Sequence, residues 1–289
     1  MCVNRCRIPL GEVGYCGTKA NENGKLMHRF GVHAGMLNWY YDPIPTNCVA
    51  AWVCGAREYG CNNLAVFFRA CSFNCLYCQN WHFKNHGERV NTYTVDELAA
   101  CADNNTVCIC YFGGDPTPQA IYSMRVAECA MSRKRVRPLR ICWETNGSEH
   151  PNMMKKMATI ALKSGGTIKV DLKALDAHLH QALTGSSNAW TLANIRHLAT
   201  LARQRPEPPL LVVSTLLVPG YVSAEEVGRI AEFLAVLNPD VPYSLLAFYP
   251  QFFMGDLPRT SRQHAEACLT AARQNGLSRV RLANTHLLW

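Results

Sequence analysis

Short apolar runs alternate with amphipathic stretches along most of the chain beyond residue 63. The apolar runs predict buried strands, and the amphipathic stretches predict helices. Seven runs fit the strand pattern, at residues 64–68, 106–112, 139–143, 167–171, 210–217, 243–248 and 278–282. Strand then helix, repeated about six times, predicts a parallel sheet with crossover helices on its faces. An open sheet, a complete barrel and a partial barrel all fit this pattern.

Capping residues mark the boundaries of three predicted helices. Thr94 and Glu97 form a capping-box pattern, and Ser223 has the side chain of an N-cap residue. Pro151 begins another helix, which the pair at residues 165–166, both glycine, is expected to end. These signals support the alternating order.

The first 63 residues have a different character. They are rich in Cys, Gly and Asn, and their hydrophobic periodicity is weak. This composition predicts an irregular, loop-rich segment. We therefore divide the chain into a Cys-rich N-terminal segment at residues 1–63 and a core domain at residues 64–289.

The overall composition narrows the class of protein. The chain has 289 residues, 48% hydrophobic and 17% charged, which is typical of a folded chain with a sizeable core rather than a disordered one. It contains no apolar run long enough for a transmembrane helix. Its first residues lack the apolar core of a secretory signal. We therefore expect a cytoplasmic protein without a membrane anchor.

Fifteen cysteines are the unusual part of this composition. Nine of them lie within residues 1–78, and the count is odd. In a long chain without a secretory signal, clustered cysteines favour a metal ion or an iron–sulfur cluster over disulfides. We expect small buried apolar side chains at the five cysteines of predicted helices and strands, which are Cys101, Cys108, Cys110, Cys129 and Cys142.

The net charge of +8 is compatible with an anionic cofactor, an acidic partner or a nucleic acid. The densest basic run, at residues 133–140, has no interleaved aromatic residues, which argues against a nucleic-acid surface. We interpret it as a solvated helix end and loop.

The most specific chemical signal is the spacing of Cys71, Cys75 and Cys78, directly after the first predicted strand of the core. Three thiolates at spacings of four and three positions can converge from one loop. A cubic four-iron cluster is usually held by four cysteines, so three leave one iron with an open coordination position. An open position on a metal is where a substrate can bind.

Polar residues also follow the next three predicted strands, where parallel α/β folds place their sites. Gly113 and Gly114 let a ligand approach the backbone closely, and Asp115 follows them. A plain turn is the alternative there. Lys173 offers a cation for a carboxylate. The charged or polar groups that can position a ligand or bind a cation are Glu144, Thr145 and Asp171. A surface ion pair is the alternative for the charged ones.

Around the cysteine triplet the sequence resembles the radical S-adenosylmethionine (SAM) superfamily, whose signature is Cys-x3-Cys-x2-Cys. The resemblance implies a partial (β/α)6 TIM-like barrel. It also implies a [4Fe–4S] cluster on Cys71, Cys75 and Cys78, whose open iron chelates SAM, with Tyr77 near the adenine. Residues 113–116 are similar to the Gly-Gly-Glu-Pro motif that binds the SAM ammonium, with Asp115 in place of glutamate.

Residues 144–147 and 171–173 resemble stretches of glycyl-radical-enzyme activases of the pyruvate formate-lyase activating enzyme type. Residues 217–221 and 283–288 resemble the same branch. This likeness implies an oxidoreductase that acts on a protein or peptide and takes electrons from a flavodoxin or ferredoxin. Radical modification of a small molecule is the alternative. A non-catalytic iron–sulfur or zinc protein is a third reading, but it would need four ligands per metal.

The lead segment is similar to AmmeMemoRadiSam-type radical SAM proteins in the spacing of Cys2, Cys6 and Cys16, and in residues 21–26 and 42–44. These cysteines either form a second metal site or are packed thiols, because spacing alone fixes no geometry. If they form a site, the cysteines expected to complete it are Cys48, Cys54 and Cys61.

Overall fold

A nine-stranded sheet forms the centre of the protein, whose computed structural model describes residues 2–46, 48–84 and 91–289. A separate two-stranded hairpin lies near the N-terminus. The strands are β1 (Lys19–Glu22), β2 (Lys25–His28), β3 (Ala34–Pro43), β4 (Asn62–Phe68), β5 (Thr92–Thr94), β6 (Thr106–Gly113), β7 (Arg140–Thr145), β8 (Ile168–Asp171), β9 (Leu211–Leu217), β10 (Tyr243–Ala247) and β11 (Val280–Ala283).

Seven parallel strands follow one another in the sheet in the order β4-β6-β7-β8-β9-β10-β11. All seven predicted core strands are confirmed. Neighbours in chain order are neighbours in the sheet, which is the winding of a barrel. Among the described strands β4 and β11 do not pair, so the barrel is partial, as predicted.

The helices that cover this sheet are α1 (Val95–Ala100), α2 (Ala120–Ser132), α3 (Pro151–Ser164), α4 (Ala177–Thr184), α5 (Ala189–Ala202), α6 (Ala224–Leu237) and α7 (Arg262–Gln274). The three predicted boundaries are confirmed. Thr94 and Glu97 form the complete capping box of α1, and Ser223 caps α6. Gly165 ends α3 in the left-handed conformation that glycine adopts most easily. None of the helices in the described ranges is long and apolar enough to cross a membrane.

The expectation of irregular structure is wrong for two parts of the N-terminal segment, at residues 19–28, which form the β1–β2 hairpin, and at residues 34–43. Residues 34–43 form β3, which pairs antiparallel with β4 and β5 and so extends the sheet beyond the parallel strands. The pattern is hard to detect because β3 is half-buried: Leu37 is fully buried, whereas Tyr40 is 50% exposed.

A loop of the same segment, residues 48–53, enters the amino-terminal end of the partial barrel. The Trp52 indole donates a hydrogen bond to Ser244 Oγ at the start of β10, at 3.2 Å. Ala50 and Val53 pack on Val212, near the start of β9. The loop therefore closes the lower end of the barrel.

Residues 133–139 of the basic run form the connection between α2 and β7, as predicted, and Arg140 is the first residue of β7. One of the side chains of this run, Arg135, hydrogen-bonds to the backbone that follows α1. The Arg135 guanidinium donates to the carbonyl oxygens of Ala102 at 2.6 Å and Asp103 at 2.7 Å.

Candidate active site

The three cysteines of the Cys-x3-Cys-x2-Cys spacing lie in the loop after β4, at the carboxyl end of the parallel sheet. Neighbouring elements hold this loop through its backbone. Leu76 N donates to Leu183 O at the end of α4, at 3.0 Å, and Leu76 O accepts a bond from Phe253 N, at 2.9 Å. The cysteines all line a cavity of about 360 Å³. The predicted convergence from one loop onto one space is thus present.

The surroundings of Cys71 suit a metal-bound thiolate. Its Sγ accepts a hydrogen bond from Phe73 N at 3.3 Å and a longer one from Asn146 Nδ2 at 3.8 Å, both of which stabilise negative charge on sulfur. Burial, followed by the carboxylate of Asp115, raises the pKa of the Cys71 thiol well above its usual value. A bound cation is therefore what would make the thiolate stable here.

No three Cys, His, Asp or Glu side chains within residues 2–46, 48–84 and 91–289 converge so closely that they could hold a single metal ion.

The two glycines after β6 allow the next loop to lie directly against the cysteine loop. Gly114 N donates to Phe68 O at 2.8 Å, and Asp115 N donates to Ala70 O at 2.7 Å. A Cβ atom on Gly114 would lie 2.3 Å from Ala70 O. This pairing of backbones requires glycine at position 114. It also positions Gly113, Gly114 and Asp115, which form part of the cavity wall.

The carboxylate of Asp115 organises the loop after β7. Its Oδ1 accepts bonds from Thr145 Oγ1 at 2.8 Å and Asn146 N at 3.0 Å. Its Oδ2 accepts a bond from Thr117 N at 3.1 Å. Burial raises the pKa of Asp115, although these bonds oppose the shift. Asp115 thus joins the loops after β6 and β7.

We expect Asp115→Asn to lower the free energy of unfolding by about 1–3 kcal/mol. The amide nitrogen would face the N–H of Thr117, so one bond is lost and a buried donor is left without an acceptor. Urea denaturation of the cluster-free protein measures this loss. Asp256→Asn, at an exposed position, is the control, and equal midpoints for the two variants would contradict the prediction.

Four charged side chains cross the barrel interior at the ends of β7 and β8. Lys169 Nζ lies 3.1 Å from Glu144 Oε2 and 2.8 Å from Asp171 Oδ1. Lys173 Nζ lies 3.3 Å from Asp171 Oδ2. Burial alone would raise the pKa of Asp171, but Lys169 and Lys173 hold it well below its usual range. These ion pairs lie inside the cavity wall rather than on the surface.

Lys169 is the member of this network that the sequence analysis missed. It precedes Asp171 by two positions, so both side chains point to the same face of β8. A lysine in an otherwise apolar strand, at that spacing from an aspartate, was the available signal. Other polar residues that line the cavity and were not assigned to the site include Asn80, Asn146 and Asn284.

Glu144 also contacts thiols below the cavity. Its Oε1 accepts a bond from Cys48 Sγ at 3.3 Å and lies 3.9 Å from Cys110 Sγ. A small space of about 40 Å³ at this level is lined by five cysteines, which are Cys48, Cys54, Cys108, Cys110 and Cys142. Cys108 and Cys110 are buried, as predicted, whereas the prediction is wrong for Cys101, Cys129 and Cys142, which are only partly buried.

The predicted site residues therefore come together around one cavity. Its wall contains every residue that the sequence analysis assigned to the cluster or to SAM, which are Cys71, Cys75, Tyr77, Cys78, Gly113, Gly114, Asp115, Glu144, Thr145, Asp171 and Lys173. Tyr77 is buried, and its burial raises the pKa of its hydroxyl well above the usual value. The roles of the individual residues stay predictions.

The cysteines of the N-terminal segment separate into two groups. Cys2, Cys6 and Cys16 line another cavity, of about 220 Å³, at the edge of the barrel. Cys48 and Cys54 instead line the space below Glu144, and Cys61 is buried beside Val107 and Cys108. The expectation that these three complete a site with Cys2, Cys6 and Cys16 is therefore wrong. The loop at residues 48–53 carries Cys48 into the barrel, and Cys61 directly precedes β4.

Comparison with known proteins agrees with this geometry. Residues 65–234, more than half of the chain, match the family model of the radical SAM superfamily. A protein of Methanocaldococcus jannaschii whose name proposes a glycyl-radical enzyme activating enzyme is 30% identical over 193 residues, which cover 65% of this chain and 68% of that protein.

The isethionate sulfite-lyase activating enzyme of Oleidesulfovibrio alaskensis is 28% identical over 166 residues, covering 55% of this chain and 49% of that enzyme. Among solved structures, Streptococcus suis SuiB bound to S-adenosylmethionine superposes with a TM-score of 0.55 and 16% identity, covering 75% of this chain and 49% of SuiB. This chain thus spans about half the length of both proteins. The likeness to SuiB shows a shared fold.

Proposed function

Because the chain belongs to the radical SAM superfamily, we propose that it reductively cleaves SAM to abstract a hydrogen atom from a protein or peptide, as an activating enzyme does. Membership makes it an enzyme of a family that uses a [4Fe–4S] cluster and SAM. The observation that carries the proposal is the cysteine triplet at the carboxyl end of β4, on the wall of one cavity with the loops after β6, β7 and β8.

In this proposal Cys71, Cys75 and Cys78 ligate three irons of the cluster. When bound and reduced, the cluster supplies the electron that cleaves SAM into methionine and a 5′-deoxyadenosyl radical. Tyr77 packs beside the adenine, and the backbone at Gly113 and Gly114 lies close to the methionine part.

The charged residues of the cavity position SAM and protect the site. Lys173 provides a cation for the methionine carboxylate, and Asp171 holds the Lys173 amine in place at 3.3 Å. Asp115 orients the loop at Thr145 through its 2.8 Å bond. The loop at residues 48–53 closes the barrel below, which shields a radical from water.

The relatives suggest the class of substrate. The isethionate sulfite-lyase activating enzyme is named for a protein on which it acts, and SuiB has been solved with its precursor peptide SuiA. We propose a protein or peptide substrate by analogy with these proteins. The one-electron donor would be a protein of the flavodoxin or ferredoxin type. The net charge of +8 on this chain would favour the docking of an acidic donor. The reaction would take place in the cytoplasm.

A small-molecule substrate is the second candidate. The closed lower end of the cavity favours it, because Val49 of the N-terminal segment is part of the wall. A purified glycyl-radical enzyme separates the two: faster 5′-deoxyadenosine formation with a glycyl radical seen by electron paramagnetic resonance supports the protein substrate. Stimulation by small metabolites alone favours the second candidate.

Anaerobic reconstitution followed by reduction tests the core of the proposal. We expect about four irons per chain at the triplet and formation of 5′-deoxyadenosine from SAM. Cys75→Ala is expected to lose both iron and SAM cleavage. Cys101→Ser, at a partly exposed cysteine outside the cavity, is the matched control and is expected to keep both.

Two results would contradict the proposal. One is SAM cleavage that persists in Cys75→Ala. The other is a triplet that takes up zinc in place of iron and cleaves no SAM, which would favour a non-catalytic protein.

A further inference from the structure

The two lysines of the charged network in the barrel differ in their access to the cavity. Lys169 Nζ contacts two carboxylates, Glu144 Oε2 at 3.1 Å and Asp171 Oδ1 at 2.8 Å. Among the described residues Lys173 Nζ contacts a single carboxylate, Asp171 Oδ2 at 3.3 Å. The Lys173 side chain is 16% exposed, against 7% for Lys169. Lys173 is therefore the lysine of this network that remains available to an anion in the cavity.

The charges of the network balance one another. Burial alone would lower the pKa of both lysines, but Asp171 raises the pKa of each, so both amines stay charged. Burial alone would raise the pKa of Asp171, but Lys169 and Lys173 hold it well below its usual range. With Glu144 as the second carboxylate, two positive charges offset two negative ones.

Fixed neighbours hold the two carboxylates on either side of Lys169. Glu144 Oε1 accepts a bond from Cys48 Sγ at 3.3 Å, so Oε2 is the oxygen that faces Lys169. Asp171 Oδ1 accepts a bond from Ser214 Oγ on β9. The N-terminal segment thus contributes one residue, Cys48, to the support of this network.

Packing alone does not account for a lysine at position 169. Its neighbours in β8, Ile168 and Val170, are fully buried and apolar. A buried ion pair often stabilises a protein no more than well-packed apolar side chains of similar volume, because both charges must lose their hydration. Since Lys169 also lines the cavity, a role of its charge in the site explains its presence better than a role in stability.

We propose that Lys169 is a positioning residue for the carboxylate of SAM. It neutralises the carboxylates of Glu144 and Asp171, and so leaves the charge of Lys173 available to the ligand. This inference rests on the proposed function, in which Lys173 receives the methionine carboxylate. Without Lys169, the wall of the cavity would carry a net negative charge. Solvent screens a buried charge only weakly, so this charge would oppose the binding of an anionic group.

Equilibrium binding of SAM tests this inference. The protein is reconstituted anaerobically with its cluster and kept oxidised, so that SAM binds without being cleaved. The Kd is then measured by titration calorimetry at equal iron content. We expect Lys169→Met to bind SAM roughly 10-fold more weakly than the wild type. Lys156→Met, at an exposed position on α3, is the control and should bind SAM as the wild type does.

Two further measurements separate the charge of Lys169 from its place in the packing. Adding Glu144→Gln to Lys169→Met restores the balance of charge, so the double variant should recover most of the affinity for SAM. Decarboxylated SAM keeps the sulfonium and the amine but lacks the carboxylate. Lys169→Met should bind this analogue as tightly as the wild type or more tightly, whereas a loss of packing alone would weaken the binding of both ligands.

Three results would overturn the inference. The first is an equal Kd for SAM in the wild type and in Lys169→Met. The second is a double variant that binds SAM as weakly as the single one, and the third is equal weakening of SAM and its decarboxylated analogue. A wild type that binds no SAM would refute the proposed function and this inference with it, so the two kinds of failure are distinguishable.

Discussion

Replacement of Lys169 by methionine is expected to lower the free energy of unfolding by roughly 3–5 kcal/mol, the usual cost of removing one partner from a buried ion pair. Lys169 bridges Glu144 and Asp171 at 3.1 and 2.8 Å, and its side chain is 7% exposed. Burial alone would lower the pKa of Lys169, but the two carboxylates raise it, so the amine is charged. The variant leaves the partly buried Glu144 without a cation.

Urea denaturation of the cluster-free protein at neutral pH measures this change. Lys156→Met, at an exposed position on α3, is the control and should change stability little. Adding Glu144→Gln to Lys169→Met should recover part of the loss, because it removes the unpaired charge. A loss no larger than the ~1 kcal/mol typical of exposed pairs would contradict the prediction.

The effect should also depend on pH. Because the pKa of Asp171 is lowered in the folded protein, its stabilising contribution is present above the ordinary aspartate pKa of about 3.9 and is lost as the pH falls through the lower folded value. The stability difference between wild type and Lys169→Met is therefore expected to shrink in strongly acidic solution.

Gly114→Ala is expected to impair the cluster site severely, although it adds only a single methyl group. The added Cβ would lie 2.3 Å from Ala70 O and 3.0 Å from Phe68 O, both backbone atoms. The two loops would have to separate, which breaks the bonds between Gly114 N and Phe68 O and between Asp115 N and Ala70 O. We expect a stability loss of about 1–3 kcal/mol and a roughly 100-fold slower SAM cleavage.

The matched control for this variant is Gly255→Ala. Gly255 has an ordinary φ angle, and its added Cβ would meet only Phe252 O, at 3.7 Å. Iron content, urea midpoint and 5′-deoxyadenosine formation of the two variants should be compared. Unchanged SAM cleavage by Gly114→Ala would show that the close approach of the two loops is not needed for the reaction.

Much of the fold could be predicted because the core strands are apolar on both faces. Such strands stand out from the amphipathic helices between them, and helix caps at Thr94, Gly165 and Ser223 gave boundaries. β3 lacks this contrast. It is an antiparallel strand beside β4, and its two faces differ in burial: Leu37 on one face is fully buried, whereas Tyr40 on the other is half-exposed.

The site residues that directly follow a strand could be predicted, because the carboxyl ends of parallel strands lie together at one edge of the sheet. Asp171 and Lys173 could be assigned to that edge from their positions after β8. The ion pair between Lys169 and Glu144 required the register, because only the pairing of β7 with β8 places these two residues side by side. The contact of Cys48 with Glu144 joins residues 96 positions apart through an aperiodic loop, so no local pattern reports it.

The loop that closes the barrel from below has a consequence for the order of synthesis. Trp52 and its partner Ser244 are 192 residues apart. At a translation rate of about 5–20 residues per second, the loop leaves the ribosome roughly 10–40 s before β10 is available to hold it. The segment that closes the lower end of the barrel is therefore synthesised well before the strands that hold it. Cys48 and Cys54 stay exposed to solvent until the last third of the chain has been synthesised.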